Sequence, residues 1–248
     1  NAEVNSNTTV DVDAINTQRL VAVAEAGGSS DAVGVEGAVT VNTMTNTSTA
    51  AIDDDAKVTA GGDITLDAEG DLENISVAGG VVATKGQVGI GFSVSVNTLH
   101  SDVNAYIGNF DPLGLDLVPA LGQVSSGGNV NLIALSDISQ GSYSVAGALA
   151  TNSKSQTEMP AGAADTQDGG GTAGKTQAGK GKFGVAVSAD VSINDMSANT
   201  SAHISDGANI AQATNVDLDA TNTLALSALS GGVTISTQQS GNGLAGSY

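Results

Sequence analysis

The sequence contains no cysteine and no tryptophan, and only 2% of its residues are aromatic. Without cysteine the chain can form no disulfide and carry out no thiol chemistry, so hydrogen bonding and packing must stabilise its fold. Hydrophobic residues still make up 40% of the chain and are mainly Ala, Val, Ile and Leu. Small aliphatic side chains fill a thin core well and a wide one poorly. The composition therefore favours a solenoid with a long, narrow core over a globule.

Basic residues are also scarce: seven Lys and Arg stand against 26 Asp and Glu, which gives a formal net charge of −19. A nucleic-acid-binding protein needs clustered positive charge, so this class is excluded. An acidic surface resists non-specific association and is typical of extracellular proteins. The sequence has no apolar run long enough for a membrane-spanning helix and no signal peptide, so we expect no membrane insertion by this segment and a targeting sequence elsewhere.

The sequence repeats itself. Residues 39–52, 94–107 and 191–204 align without gaps, and each has an apolar residue followed by asparagine near its start. A second shared element follows each of them and also opens the chain, as an apolar-x-apolar-x-Ala pattern that begins at Val10, Ile64, Val130 and Val216. Such self-similarity indicates a repeat architecture with a module of about 54 residues.

We divide the chain as one continuous array, residues 1–248, with partial modules at 1–14 and 221–248 and complete modules at 15–68, 69–134 and 135–220. The second complete module carries an apolar insertion at 110–121, and the third carries a Gly-rich insertion at 150–182. Because the spacing between the repeated motifs is constant outside these insertions, we expect stacked strands joined by turns whose length can vary. The array has the form of an excerpt from a longer one.

Within the repeats, side chains alternate with period two, as in residues 92–97, and helical periodicity is missing. The prediction is an all-β fold, a right-handed parallel β-helix or a related β-solenoid, with two loop insertions. We expect Val, Ile, Leu and Ala inside and Ser, Thr, Asn and Asp outside. With two or three coils in each module, the chain would form a rod roughly 50 Å long. The alternative is a solenoid with long β-hairpins, one of which would turn at Lys85-Gly86.

The combination SVAGG, GVGxSVSVNxL and V-x-AGGD-x-x-L-x-A resembles the β-strand repeats of giant exoproteins of Gram-negative bacteria. These are filamentous-haemagglutinin-like adhesins, autotransporter passenger domains and leukotoxin-type surface proteins. The resemblance covers nearly the whole chain outside the two insertions. It implies a β-helical shaft at the cell surface or in the extracellular matrix, which serves adhesion, biofilm structure or filament formation. The resemblance brings no catalytic residues with it.

Candidate sites for metals are few. His100 and His203 fall at different places in the module and predict surface positions rather than a metal site. Asp53, Asp54 and Asp55 follow Ile52 at a predicted turn, and their carboxylates are candidate Ca²⁺ ligands, although a solvated turn is the favoured interpretation. No other cofactor is predicted.

The recurring asparagines Asn42, Asn97 and Asn194 raise the hypothesis of an internal amide ladder. With coils of about twenty residues they could not occupy neighbouring coils, so we expect each to serve in a turn or a bulge.

The sequence predicts no enzyme, because it shows no paired carboxylates placed for catalysis, and four of its seven cations lie in the Gly-rich insertion. The function that fits best is a structural shaft or extracellular filament at the cell surface. The alternative is an adhesin segment that binds a glycan or protein receptor through its inserted loops. For self-association into fibres or bundles, the candidate interface is the apolar part of the first insertion: Phe110, Leu113, Leu115, Leu117, Val118 and Leu121.

Overall fold

A computed structural model describes residues 2–85, 88–109, 122–151, 184–205, 207–236 and 242–247. The described residues form strands and connecting turns without a helix. The strands are β1 (Glu3–Ser6), β2 (Val10–Ser30), β3 (Val33–Ile52), β4 (Lys57–Ala60), β5 (Ile64–Thr84), β6 (Val88–Ile107), β7 (Gln123–Ser126), β8 (Val130–Ala150), β9 (Val185–Ile204), β10 (Asn209–Ala211), β11 (Val216–Ser236) and β12 (Asn242–Ser247).

These strands form three parallel sheets, and each coil of the solenoid contributes one strand to each sheet. The short sheet has the order β1-β4-β7-β10, the first long sheet β2-β5-β8-β11 and the second long sheet β3-β6-β9-β12. The prediction of an all-β fold with the parallel sheets of a solenoid is confirmed. The hairpin alternative is wrong, because β5 and β6 on either side of Lys85 pair in two different sheets.

One module forms one coil. Val10 lies opposite Ile64 in the next coil, 54 positions along the chain. The prediction of two or three coils in each module is therefore wrong, because it assumed strands of the usual five or six residues, whereas the long strands have 20 or 21. The predicted 50 Å rod is wrong for the same reason. Four stacked strands occupy only about 19 Å along the axis, while each long strand extends for about 66 Å across it.

The sheet register pairs the residues that the sequence repeat aligned. Val41 lies beside Val96, and Val96 beside Ile193. Ile64 lies beside Val130, as Val216 does. The two insertions fall where β6 leads to β7 and where β8 leads to β9; residues 110–121 and 152–183 lie outside the described residues.

The two long sheets face each other, and their interior is apolar near the short sheet. We call this end proximal, and the opposite end, where β2 leads into β3 and β5 into β6, distal. The proximal core consists of Ala50, Ile52, Val58, Ala60, Ile64, Leu66, Ala68, Val103, Ala105, Ile107, Val124, Val130, Leu132 and Ala134. All three sheets contribute side chains to this core.

Further toward the distal end the interior becomes polar. Next to the proximal core lie the buried polar side chains of Asn46, Ser48, Ser101 and Ser136. A small apolar group of Met44, Leu72, Leu99 and Ile138 follows, and beyond it lie further buried amides and hydroxyls. Ser93, Ser95 and Asn97 on β6 are fully buried, whereas the intervening Val94 and Val96 lie on the outer side. The expectation that Val lies inside and Ser and Asn outside is wrong in this half of the coil.

Buried asparagines form an internal amide ladder, which coils of about twenty residues would not allow. The Asn42 Nδ2 donates to Asn97 Oδ1 at 2.8 Å, and Asn97 Nδ2 donates to Asn194 Oδ1 at 2.9 Å. Asn74, from the first long sheet, donates its Nδ2 to Asn97 Oδ1 at 3.0 Å and to Gln140 Oε1 at 2.8 Å. The turn or bulge role is wrong, because a coil of about 54 residues places these asparagines on adjacent strands.

Hydroxyl groups link the two long sheets beside this ladder. Oγ1 of Thr40 lies 2.7 Å from Ser76 Oγ, which lies 2.8 Å from Ser95 Oγ. Ser142 donates its Oγ to Ser95 Oγ at 3.0 Å and lies 2.6 Å from Ser192 Oγ. Hydrogen bonding of this kind offsets the cost of burying polar groups.

Glycines let the long sheets approach each other closely at the distal end. A Cβ atom on Gly80 would overlap the carbonyl oxygen of Phe92 on the facing sheet, and one on Gly91 would overlap that of Gly147. Most of the inward side chains there are small, although Val82 is also buried, where it packs with Ala148, Ala150 and Ala186. Larger aliphatic residues of the same strands are therefore placed on the outer side.

Candidate interaction surface

The outer side of the second long sheet carries an apolar surface at its distal end. Its rows run across β3, β6 and β9 in register. We call this set the valine face: Val33, Val88 and Val185; Val35, Ile90 and Val187; Val39, Val94 and Val191; Val41, Val96 and Ile193. Val41 is 68% exposed and Ile193 52% exposed. Large exposed apolar patches mark interaction sites on soluble proteins.

Phe92 lies between the row that contains Ile90 and the row that contains Val94. Gly37 lies opposite Phe92 on the neighbouring strand, and a Cβ atom on Gly37 would overlap the Phe92 ring. The ring therefore lies over the glycine backbone. This covers a backbone segment that has no side chain of its own and keeps the valine face continuous across β3 and β6.

The proximal half of the same outer side is polar and neutral for most of its length. Thr43, Thr45, Thr47 and Thr49 alternate outward along β3. His203 stacks on Tyr106 with ring centroids 5.5 Å apart. The pKa of Tyr106 is raised by burial and, to a smaller extent, by the carboxylates of Asp53 and Asp54.

His100 joins a serine and a carboxylate on this polar half. Its Nδ1 lies 2.6 Å from Ser197 Oγ, and its Nε2 lies 2.9 Å from Asp102 Oδ2. A Ser-His-carboxylate set resembles the nucleophile and base of acyl-transfer enzymes, but that chemistry also needs hydrogen-bond donors directed at an oxyanion. Here the backbone N–H groups of β6 and β9 take part in the parallel ladder, and the His100 side chain is 43% exposed. The structure supports a role for His100 as a hydrogen-bonded link between β6 and β9.

The outer side of the first long sheet differs by its charge. Its described residues carry the carboxylates of Asp11, Asp13, Glu25, Asp67, Glu69, Asp71, Glu73, Asp137, Asp217 and Asp219. Arg19 pairs with Glu73 at 3.0 Å. Burial, followed by the charge of Asp13 opposite it, raises the pKa of Asp67. This sheet is also apolar at its distal end, where Val23 and Val81 are exposed.

The turn after Ile52 contains the candidate calcium ligands. The backbone N–H of Asp54 donates to Asp53 Oδ1 at 2.9 Å, and the N–H of Ala56 donates to the Asp53 carbonyl at 3.2 Å. Asp55 has a φ of 59°. The predicted turn is present, and the Asp53 carboxylate supports it. Within the described ranges, no three His, Asp or Glu side chains come together as a metal site, and calcium binding stays a prediction.

The candidate interface residues in the first insertion, Phe110, Leu113, Leu115, Leu117, Val118 and Leu121, lie outside the described residues. His100 and His203 lie on the outer side of the second long sheet, separate from each other in register. The valine face was not predicted from the sequence. The sequence does indicate it, since Val alternates with Gly, Ser and Asn along these strands. Gly, Ser and Asn are small enough to fill the interior between two closely spaced sheets, which would leave Val on the outer side.

Comparisons of the chain with protein-family models, with curated proteins and with solved structures find no match. Across the parts of the chain that the structure describes, no helix is long and apolar enough to cross a membrane.

Proposed function

We propose that this chain is a structural segment of a secreted or surface-exposed fibre, in which its stacked coils form part of a shaft. The observation that carries the proposal is the continuity of the ladders along the stacking direction. Each long strand of an inner coil pairs along its full length with the coil before it, as β5 pairs with β2 from Val10 to Ser30. The buried asparagines add a second set of hydrogen bonds in the same direction.

This arrangement suits a load-bearing element better than a binding pocket. Backbone ladders of 20 or 21 residues distribute a pulling force over many parallel hydrogen bonds. The acidic outer side of the first long sheet keeps that surface solvated at the net charge of −19. The extracellular location, the fibre and the absence of a catalytic role are all part of this proposal.

Immunogold electron microscopy tests the location and the fibre together. Antibodies raised against the purified 248-residue chain are applied to intact and to permeabilised cells of the source organism. We expect labelling of intact cells, with gold particles along surface fibres or in the surrounding matrix, and its loss after brief treatment of the cells with protease. Labelling that requires permeabilisation would overturn the proposal.

A further inference from the structure

We propose that the outer side of the second long sheet docks flat against the same side of a second copy of this chain, with the valine face at the centre of the contact. The inference deepens the proposed structural role and rests on it for its biological meaning. Its test uses purified protein and does not depend on where the protein resides in the cell.

The shape of the valine face fits another sheet. Its rows consist almost entirely of β-branched side chains that repeat in register from strand to strand. Side chains within a row are about 4.8 Å apart, and successive rows lie about 6.6 Å apart along the strands. Two sheets with ridges of this kind interdigitate at a sheet separation of about 10 Å. Because both copies present the same ridges, a two-fold related pair is self-complementary.

Charge selects this side over the first long sheet. Among the described outward residues of β3, β6 and β9, the only carboxylates are Asp102 and Asp195, both in the proximal half. The described outward residues of the first long sheet include ten carboxylates and one basic side chain, that of Arg19. Two copies that met there would bring like charges together, which costs several kcal/mol. Two copies that meet at the second long sheet avoid this repulsion.

Charge also favours a second copy over a lipid surface. Proteins that lie on membranes combine apolar side chains with Lys and Arg that bind anionic headgroups. No Lys or Arg points outward from the described part of β3, β6 or β9. A neutral, apolar partner surface is required, and the same side of another copy supplies one.

The available area agrees with a dimer of moderate stability. The valine face covers about 30 Å along the strands and about 14 Å across β3, β6 and β9, or about 430 Å². With the threonine-rich half the whole outer side reaches about 950 Å², against about 800 Å² on each partner in a standard interface. Only the valine face excludes water well, because the other half is polar. We therefore expect a dimer that dissociates when the protein is diluted.

Sedimentation equilibrium of the whole chain tests the proposal. The variant pair Val41→Asp and Val96→Asp places two charges in one row of the valine face, where the parent residues lie opposite each other. The matched control, Val23→Asp with Val77→Asp, changes an equivalent opposed pair on the outer side of the first long sheet. We expect the parent and the control to form dimers with dissociation constants in the micromolar range. The dissociation constant of the Val41→Asp, Val96→Asp variant should be at least ten-fold higher.

Circular dichroism checks that both double variants keep the parent β spectrum. If the Asp pair unfolds the chain, Val41→Thr with Val96→Thr replaces it, since threonine already occupies the outward positions further along β3. A parent that stays monomeric, or two double variants that dissociate equally, would overturn the inference. A third outcome would also overturn it: a monomeric parent that floats with phosphatidylcholine vesicles, when the variant with Val41→Asp and Val96→Asp does not. The valine face would then bind lipid rather than a second copy.

Cross-linking gives a second readout. The chain has no cysteine, so Val96→Cys introduces a single thiol on β6, the middle strand of the valine face, and Val77→Cys introduces one at an inner strand of the other sheet. Under mild oxidation we expect disulfide-linked dimers from the first variant at least ten-fold faster than from the second. Equal rates would contradict docking through the second long sheet.

Discussion

Asn97 connects several polar side chains of the distal interior. It accepts hydrogen bonds from the side chains of Asn42 and Asn74 and donates to Ser95, Ser142 and Asn194. It is fully buried. An unpaired buried amide costs about 1–3 kcal/mol, so removal of this one side chain affects several neighbours at once.

We therefore expect Asn97→Ala to lower the free energy of unfolding by about 2–4 kcal/mol, because it leaves the donors of Asn42 and Asn74 without this acceptor. The change is measured by urea denaturation followed by circular dichroism. Thr98→Ala is the control, since Thr98 is exposed on the outer side of the same strand and its loss should cost about 0.5 kcal/mol or less. Equal effects of the two substitutions would show that the asparagine ladder does not stabilise the fold.

Asp190 provides a test of the polar interior through pH. It is 2% exposed, and Ser93 Oγ donates to its Oδ1 at 2.8 Å. Burial raises the pKa of Asp190, although hydrogen bonds from Ser93 and from the backbone of Gly231 and Ala146 act in the opposite direction. A carboxyl with a raised pKa in the folded state favours folding while it is protonated. Its contribution is present below the ordinary value of 3.8 and is lost as the pH rises through the raised pKa.

For this reason Asp190→Asn should have a higher melting temperature than the parent at pH 7, and the difference should shrink as the pH falls toward 3.8. Differential scanning calorimetry between about pH 3 and pH 8 measures it. Asp195→Asn, on the exposed outer side of the same strand, removes one charge without a change to the interior and should leave the melting temperature near that of the parent. A difference for Asp190→Asn that grows as the pH falls would mean that the pKa of Asp190 is lowered in the folded protein.

At the scale of the strand, adjacent glycines distinguish the two sides of the first long sheet. Gly80 points inward, where a Cβ atom would overlap the facing backbone, whereas the nearest atom to a Cβ on Gly79 is the Val145 carbonyl oxygen at 3.9 Å. We expect Gly80→Ala to cost about 3 kcal/mol, since the backbones must move apart. Gly79→Ala should be neutral or stabilise by up to about 1 kcal/mol.

Thermal unfolding of the two alanine variants side by side measures this contrast. A reversed order, with Gly79→Ala the less stable protein, would mean that the strand presents its other side to the interior. Close approach of the sheets would then no longer account for the outward position of Val77 and Val81.

The same strands show how much of the fold could be predicted from the sequence. Period-two alternation and the aligned motifs were sufficient for parallel stacked strands and for the register of Val41, Val96 and Ile193. They did not fix which side of the alternation lies inside. That choice depends on the distance between the two long sheets, which close glycine contacts set at the distal end.

The coil length had a larger effect on the site predictions. Strands of ordinary length would divide a module of about 54 residues into several coils, and this assumption separated the asparagines that the structure brings together. The failure to predict the valine face has a separate cause, because the alternation was interpreted with its hydrophobic residues in the core. No local pattern in the sequence distinguishes a strand of 20 residues from several short ones when the turns between them lack Pro or Asx-Gly signals.

At the scale of the whole molecule, each coil contacts the coils before and after it, so a complete coil is a removable unit. Deletion of residues 57–122 joins Ala56 to Gln123 and places β7, β8 and β9 on β1, β2 and β3. The register is conserved, since β4 and β7 occupy equivalent positions. We expect a folded protein with an unchanged β spectrum per residue and a lower melting temperature.

The control deletion removes residues 57–84, which contain only β4 and β5 of that coil. It leaves β6 without the first long strand that should precede it, and we expect this protein to lose cooperative unfolding. If both deletions unfold cooperatively, the coil is not the unit of stability. Circular dichroism during heating gives both results in one experiment.

The offset of 54 residues between paired strands has a consequence for how the chain reaches its native state. No ladder hydrogen bond between Val10 and Ile64 can form until the chain has closed a loop of that length. Loop closure opposes the first pairing and gives no reward until a second coil is available. Folding should therefore begin slowly, with a nucleus of two coils, and accelerate as each completed edge acts as a template for the next coil.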